Sequence, residues 1–272
     1  MRFRPFHLLV YLAFLLLIIY VFAPYIWLLT ASFSTGANLT VRIPRHPTLA
    51  NFVHVFTGQT FRWVGNSLLI SVSATVGSII VATPGGYALS RGTFRGRPTL
   101  MYAIILMRVI PATLVIVPLY GMSLATHLLD TYFGLILVYI AVSVPLNLWI
   151  MKGAADSIPR ELEEAAEIDG GSRLRILRSV IFPLMGPGVG AAAVMSFMGA
   201  WGDFLLPLIL LSNAKKYPIS VGLFTAFGIN GVVNYSELAT LCLVYIVPII
   251  AIYFSVGQAF SRGFGSIGIA EK

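Results

Sequence analysis

The sequence is short of charge. Only 10% of its 272 residues are Asp, Glu, Lys or Arg, 58% are hydrophobic, and the mean hydropathy is +0.89. A soluble domain carries about 25% charged and about 45–50% apolar residues, so these side chains cannot clothe a water-facing surface. That excludes a soluble enzyme and a disordered chain. It also excludes a nucleic-acid-binding chain, although a net charge of +8 would on its own suggest one. Cysteine is nearly missing. The single Cys242 lies in the apolar run Leu238–Phe260, can form neither an intrachain disulfide nor a metal cluster, and reads as a small buried hydrophobe. Clustered histidines are missing too: His7, His46, His54 and His127 are scattered, so no metal site is expected.

Catalytic signatures are absent as well. None of the lysines (Lys152, Lys215, Lys216, Lys272) follows a glycine and precedes Ser or Thr, so there is no phosphate-binding P-loop. There is no H-E-x-x-H and no G-x-S-x-G. Gly121-Met122-Ser123 with His127 faintly resembles a serine intramembrane protease, but the second glycine is missing. No enzymatic site is expected, and any energy for the chain's work must come from elsewhere.

What the sequence does have is long apolar runs. A helix needs roughly 20 apolar residues to cross roughly 30 Å of hydrocarbon. Six segments qualify: 8–30, 66–90, 99–122, 132–151, 187–212 and 238–260. The first is too long for a signal-peptide core and lacks an A-x-A cleavage site, so it reads as a retained span. The second is rich in small residues (Ser71, Ser73, Ala74, Gly77, Ser78), which permit close helix approach. Prolines 24, 84, 111, 118, 145, 207 and 248 recur inside the spans. Each removes a backbone hydrogen bond and can kink its helix, which suits a bundle lining a cavity. There is no convincing internal repeat.

Lysine and arginine set the orientation. With Arg2 and Arg4 inside, twelve of the eighteen basic residues fall on the cytoplasmic side and only Arg42, Arg45, Arg62, Lys215 and Lys216 outside. This is the positive-inside pattern, so the basic excess is a topology signal. Six spans place both termini in the cytoplasm.

One polar island stands apart, residues 152–186. It holds six of the ten acidic residues: Asp156, Glu161, Glu163, Glu164, Glu167 and Asp169. Pro159 suits a first helical turn and the early glutamates suit the positive helix end. Gly170 and Gly171 suit a C-terminal cap, and Ser172 suits the cap of a second helix that Pro183 and Pro187 would end. The island therefore reads as helix, glycine turn, helix, projecting into the cytosol. Ala165 and Ala166 form a flat spot where another protein could approach.

The island carries a resemblance. Glu164-Ala165-Ala166, then Gly170, then Pro183 match in register the E-A-A-x3-G-x9-I-x-L-P loop of binding-protein-dependent ABC importer permeases. Val180 stands in place of Ile, Phe182 in place of Leu, and Gly171 makes an unusual Gly-Gly pair. Pro47-Thr48-Leu49, Asn51, Phe56 and Asn66-Ser67-Leu68 resemble the external approach to the second span in carbohydrate-importer permeases. Ser157-Ile158-Pro159-Arg160-Glu161-Leu162-Glu163-Glu164 resembles the same group's run into the loop. Trp201-Gly202-Asp203-Phe204-Leu205 resembles its W-N-[DE]-F-L segment, with Gly202 in place of Asn. Almost the whole chain is covered. It is similar to the smaller, six-span permease of maltose-type importers.

The resemblance implies an all-α type I importer permease fold, one transmembrane domain over 1–272, in a bacterial or archaeal cell (inner) membrane. It implies a larger permease, two ATPase subunits and an extracytoplasmic binding protein as partners. No cofactor is expected on this chain, with ATP and Mg on the ATPase subunits. The loop would be the coupling helix: Glu164 pairing with a basic group of the ATPase, Ala165 and Ala166 packing in its groove, Gly170 making the turn, with Asp169 and Pro183 completing the set.

Intramembrane polar residues mark candidate solute contacts. Arg108 lies roughly 13 Å deep at about 1.5 Å per residue, and could face a cavity, pair or snorkel. Asp203 beside Trp201 could offer a sugar an acceptor and a stacking face, or could be a helix-packing acid. Asn147 with Trp149 forms a similar pair, and Glu237 sits at a boundary. The outer loop 213–237 is expected to touch the binding protein, and the tail 263–272 to reach the ATPase subunits or be disordered. The resulting expectation is a subunit forming half of the pathway for a di- or oligosaccharide. The alternatives are a permease for glycerol-3-phosphate or another non-sugar solute, and a self-contained secondary carrier or channel.

Overall fold

A computed structural model describes residues 5–57, 59–228 and 233–265. Arg2, Arg4, Asn230, Gly231 and the end of the C-terminal tail lie outside the described residues. The regular structure among the described residues is helical: α1 (Pro5–Ser32), α2 (Ala50–Phe56), α3 (Gln59–Arg91), α4 (Arg97–Val109), α5 (Ala112–Ala125), α6 (Tyr132–Asp156), α7 (Glu161–Ile168), α8 (Arg173–Ile176), α9 (Phe182–Leu184), α10 (Gly186–Gly202), α11 (Leu205–Leu210), α12 (Ile219–Gly228) and α13 (Tyr235–Gly265). A π turn, Leu177–Ile181, joins α8 to α9.

Among the described residues four helices are individually long and apolar enough to cross a membrane, at Leu9–Ser32, Gln59–Arg91, Tyr132–Asp156 and Tyr235–Ser255. They coincide with the first, second, fourth and sixth segments expected from the sequence. The other two segments are not continuous helices. The third is divided at Ile110-Pro111, where Ile110 is extended (φ −75, ψ 115) and Pro111 leads into α5. Proline disfavours a helical residue before it and has no N–H to give the preceding turn. The fifth ends at Gly202, where extended Asp203 (φ −73, ψ 133) precedes the short α11. Non-helical backbone at membrane depth is tolerated where it lines a cavity or is covered by protein.

The chain divides into two compact units, Met1–Arg62 with Gly222–Pro248, and Trp63–Val221 with Ile249–Lys272. In the first, α1 is apolar on every face and none of its most apolar stretch is buried. A helix of that kind is suited to lipid all round. Its C-terminal end is tied down by polar contacts: Asn51 Nδ2 donates to the carbonyls of Ser32 and Ser34 at 2.8 Å each, and Trp27 Nε1 donates to Asn38 O at 2.9 Å. His54 Nδ1 lies 3.2 Å from Glu237 Oε1, which gives the boundary glutamate a local partner.

The second unit is built on α3, α6 and α10. A stripe of small buried residues runs down α3 at four-residue spacing: Ala74, Ser78, Ala82 and Gly86. Four residues is about one helical turn, so the stripe stays on one face and lets α6 come close. A methyl group at Gly86 would meet Met151 Cβ at 2.5 Å and Lys152 N at 2.8 Å. Ile70, Leu135, Val138, Tyr139, Leu206 and Leu210 close one part of the core, and Met151, Ala155, Ile176, Ile181, Met185 and Ala192 another.

Loop 126–131 is clamped to the segment after α11. Asp130 adopts a left-handed backbone (φ 54). Its Oδ1 accepts from the Ser212 and Asn213 amides at 2.9 and 3.1 Å, and Lys216 Nζ sits 2.8 Å from Oδ2. Burial pushes the Asp130 carboxyl up, but Lys216 and the two amides outweigh it and hold it below its ordinary 3.8. A depressed carboxyl stabilises the fold above its unfolded value and loses that contribution as pH falls through the lower folded value. The clamp is therefore intact at neutral pH and opens only in acid below 3.8. Asp130→Ala should cost about 1.5 kcal/mol, the low end for hydrogen bonds to a charged group, and Asp130→Asn should recover part of it because Asn tolerates the left-handed backbone. Thermal unfolding of the detergent-solubilised protein checks both; equal midpoints for all three proteins would contradict the clamp.

Candidate functional site

The polar island forms the sequence-expected pair of helices, with differences of detail. Pro159 and Arg160 precede α7 rather than opening it. At the end of α7, Gly170 takes φ +81. The Gly171 amide donates to Ala166 O and the Gly170 amide to Glu167 O, both at 3.0 Å. This is the Schellman closure, and it needs a residue that accepts a left-handed backbone. Asp169 is exposed at the C-cap. Ser172 occupies the cap position of α8, but its side chain makes no capping bond.

Pro183 does not end the second helix. The rod runs on to Leu184 by widening into a π turn, in which the Phe182 amide donates to Leu177 O. One extra residue in the turn spares Pro183 the i−4 bond it cannot make. The sharp change of direction comes at Met185, where Arg173–Leu184 and Gly186–Gly202 are bent by 78°. Pro187 then sits in the first turn of α10, where a missing N–H costs little.

α7 has two faces of opposite character. Glu164, Ala165 and Ile168 are exposed, with Ile168 at 87%. Ala166, half-buried, packs on the chain's own core. Glu163 is buried and anchored. Arg91 Nε donates to Glu163 Oε1 at 2.7 Å and Arg91 Nη2 lies 2.6 Å from the same oxygen. The Tyr87 hydroxyl donates to Glu163 Oε2 at 2.7 Å, and Arg91 Nη2 also donates to Ile158 O at 2.8 Å. Beside this, Ser90 donates to Asp156 Oδ1 at 2.6 Å, and Asp156 pairs with Lys152. These bonds tie α7 to the ends of α3 and α6. Sequence reasoning gave Glu163 only a favourable place near the helix end. The available signal was periodicity: Glu163 is three residues before inward-facing Ala166, while Glu164 points the other way.

The candidate solute residues gather around a cavity of about 580 Å³ in the second unit, lined among others by Arg108, Thr113, Tyr139, Asn147, Ser196 and Asp203. Both broken spans reach it, α4–α5 through Arg108 and Thr113 and α10–α11 through Asp203 and Leu205. Arg108 is exposed in the last turn of α4, where a cation suits the negative helix end, and it has no ion-pair partner among the described residues. Asp203 is held locally: Tyr139 donates to Oδ2 at 3.1 Å and the Leu205 amide to Oδ1 at 3.0 Å. Asn147 is buried, and its Nδ2 donates to Ser78 Oγ at 2.9 Å and Ser196 Oγ at 2.7 Å, which joins α3, α6 and α10. Its Oδ1 has no partner among the described residues. Trp201 lies away from this group, 1% exposed and stacked on Phe197 with ring centroids 5.4 Å apart. Neither Trp201 nor Trp149 lines the cavity.

Broken apolar helices around an open, mainly apolar cavity that carries a few polar side chains, together with a polar helix pair, fit a membrane permease. The chain belongs to the binding-protein-dependent transport system inner membrane component family, whose model matches residues 74–266. It is 34% identical over 253 residues to the galactooligosaccharides transport system permease protein GanQ of Bacillus subtilis (strain 168), covering 90% of this chain and 89% of that one. It is 31% identical over 222 residues to that organism's maltodextrin transport system permease protein MdxG, with 81% and 80% covered. In structure it resembles a chain of a bacterial ABC transporter that imports the acidic polysaccharide alginate, with TM-score 0.83, 22% identity and 94% and 96% of the chains covered. A chain of the MetNI methionine ABC transporter matches at TM-score 0.60, with 16% identity and 75% and 95% covered.

Glu163→Ala should destabilise the α7 attachment by about 3–5 kcal/mol, because it leaves the Arg91 guanidinium buried without its carboxylate. Glu163→Gln, which keeps a polar partner for Tyr87, should cost less. Limited proteolysis around residues 157–172 reads the loosening; wild-type cleavage rates in both variants would show that Glu163 anchors nothing.

Proposed function

We propose that this chain is the permease subunit of an ATP-driven, binding-protein-dependent importer and forms half of the pathway for a di- or oligosaccharide. A larger permease supplies the other half, two ATPase subunits carry ATP and Mg, and an extracytoplasmic binding protein delivers the solute. The names of GanQ and MdxG support the oligosaccharide class. The observation that carries the mechanism is the two-faced α7: Glu163 fixes its back to α3 while Glu164, Ala165 and Ile168 stand free.

In this reading the free face docks in an ATPase groove. Glu164 pairs with a basic group there, Ala165 and Ile168 fill apolar surface, and the Gly170 corner carries the movement into α8. The rod Arg173–Leu184 passes it through the bend at Met185 to α10. α10 ends at Gly202, next to Asp203 on the cavity wall, so a displacement of α7 reaches the residues that would face the sugar. Arg108 donates to hydroxyl oxygens and the Asp203 carboxylate accepts from hydroxyls, while buried Asn147 ties together the helices behind the wall. The whole chain, 1–272, acts as one transmembrane domain.

Glu164→Lys should leave insertion unchanged while abolishing solute-stimulated ATP hydrolysis and uptake in vesicles holding the complete importer. Losing one partner of a desolvated contact charge typically costs about 2–5 kcal/mol, enough to release the ATPase during purification. Full uptake with normal stimulation in that variant would overturn the reading, as would uptake driven by a proton gradient in vesicles holding this chain alone.

A further inference from the structure

We propose that the outer face of the Arg173–Leu184 rod is a binding surface for anionic phospholipid headgroups of the inner leaflet. The inference rests on the permease reading above, which puts this rod at the cytoplasmic membrane surface. The rod has a buried side, Ile176, Leu177 and Ile181, set in the core. Its other side carries Arg175, Arg178, Ser179 and Phe182, all exposed and spaced as neighbours along one helical face. Arg173 is exposed too, and none of the three arginines is in an ion pair among the described residues. The acids of α7 lie before the Gly170 corner, and Glu163 is already taken by Arg91.

Three further observations point to lipid. A groove of about 370 Å³ is lined by Ser172, Leu174, Arg175, Arg178 and Ser179; it offers two cations and the Ser172 hydroxyl to one anionic group, the Ser179 hydroxyl being donated to Arg175 O. Large apolar side chains flank the arginines and are open to the surroundings: Leu174 at 64%, Phe182 at 40% and Leu184 at 49% exposure. Basic and apolar residues side by side on a short helix are the pattern of an interfacial segment, which buries the apolar groups at the acyl boundary and keeps its cations among the headgroups. The bend of 78° before α10 turns the rod well away from the direction of that helix. If α10 runs across the bilayer, the rod lies close to its plane.

An anionic leaflet attracts each nearby arginine by roughly fivefold in affinity at ordinary salt, so removing two of them weakens lipid retention roughly thirtyfold. The complete importer in neutral detergent is titrated with phosphatidylglycerol or phosphatidylcholine, and retained lipid is read by native mass spectrometry. Wild type should hold phosphatidylglycerol in preference to phosphatidylcholine. R175Q/R178Q should lose that preference, and R175K/R178K should keep most of it. In vesicles, phosphatidylglycerol should raise solute-stimulated ATP hydrolysis for wild type and not for R175Q/R178Q. Equal phosphatidylglycerol retention in wild type and R175Q/R178Q overturns the proposal. So does unchanged retention with loss of the ATPase subunits during purification, which would assign the arginines to a protein contact instead. Absence of any solute-stimulated hydrolysis in wild type, in every lipid, would count against the permease reading alone, because lipid retention is read without it.

Discussion

Hydrocarbon cannot accept or donate a hydrogen bond, and this constraint governs the structure. Every polar group at membrane depth must find a partner in the protein or in water held by it. Two buried hydroxyls of α3 obey it locally, Thr75 donating to Ser71 O and Thr83 to Ile79 O, while Ser71 Oγ has no partner among the described residues. Asn147 meets it between helices on its donor side only, giving both amide protons to serines of α3 and α10 while its Oδ1 has no partner among the described residues. The same rule explains where the helices break. Ile110-Pro111 and Asp203-Phe204 free backbone groups that lipid cannot satisfy, and both breaks flank the cavity that holds Arg108 and Asp203.

The island at residues 152–186 answers to a different solvent. There water competes for every charge, and exposed ion pairs contribute little. The pair that orients α7 is the one withdrawn from water: Arg91 and Glu163 side chains are 16% and 12% exposed. Its neighbour Glu164 stays outside. Two adjacent glutamates in one short helix thus have opposite tasks, one holding the helix to its own chain and the other available to another protein. Burial, not residue type, separates them.

Much of this was legible in the sequence, and the limits have physical causes. Four spans follow from hydropathy because a long apolar run has one sensible place to go. The breaks at Pro111 and Asp203 were less visible, since Pro24, Pro84, Pro118, Pro145 and Pro248 remain inside helices. Whether a proline interrupts a membrane helix depends on what its neighbours can offer the freed carbonyl, and that is a tertiary fact. Gly170 was legible because a positive φ nearly demands glycine. Glu163 was not, because its partners Tyr87 and Arg91 lie more than seventy residues earlier in the chain. Trp201 looked like a stacking surface beside Asp203, but Trp201 is in the last turn of α10 while Asp203 lies in the extended backbone after it, and the indole is stacked on Phe197.

The open-sided cavity also bears on the life of the chain before it is assembled. Arg108 is exposed and shares the cavity wall with Asp203, and lipid is a poor neighbour for either. A newly made subunit therefore enters the bilayer with a polar flank that only another protein can cover at little cost. In the permease reading proposed above, the companion that completes the pathway would also shield this flank from lipid.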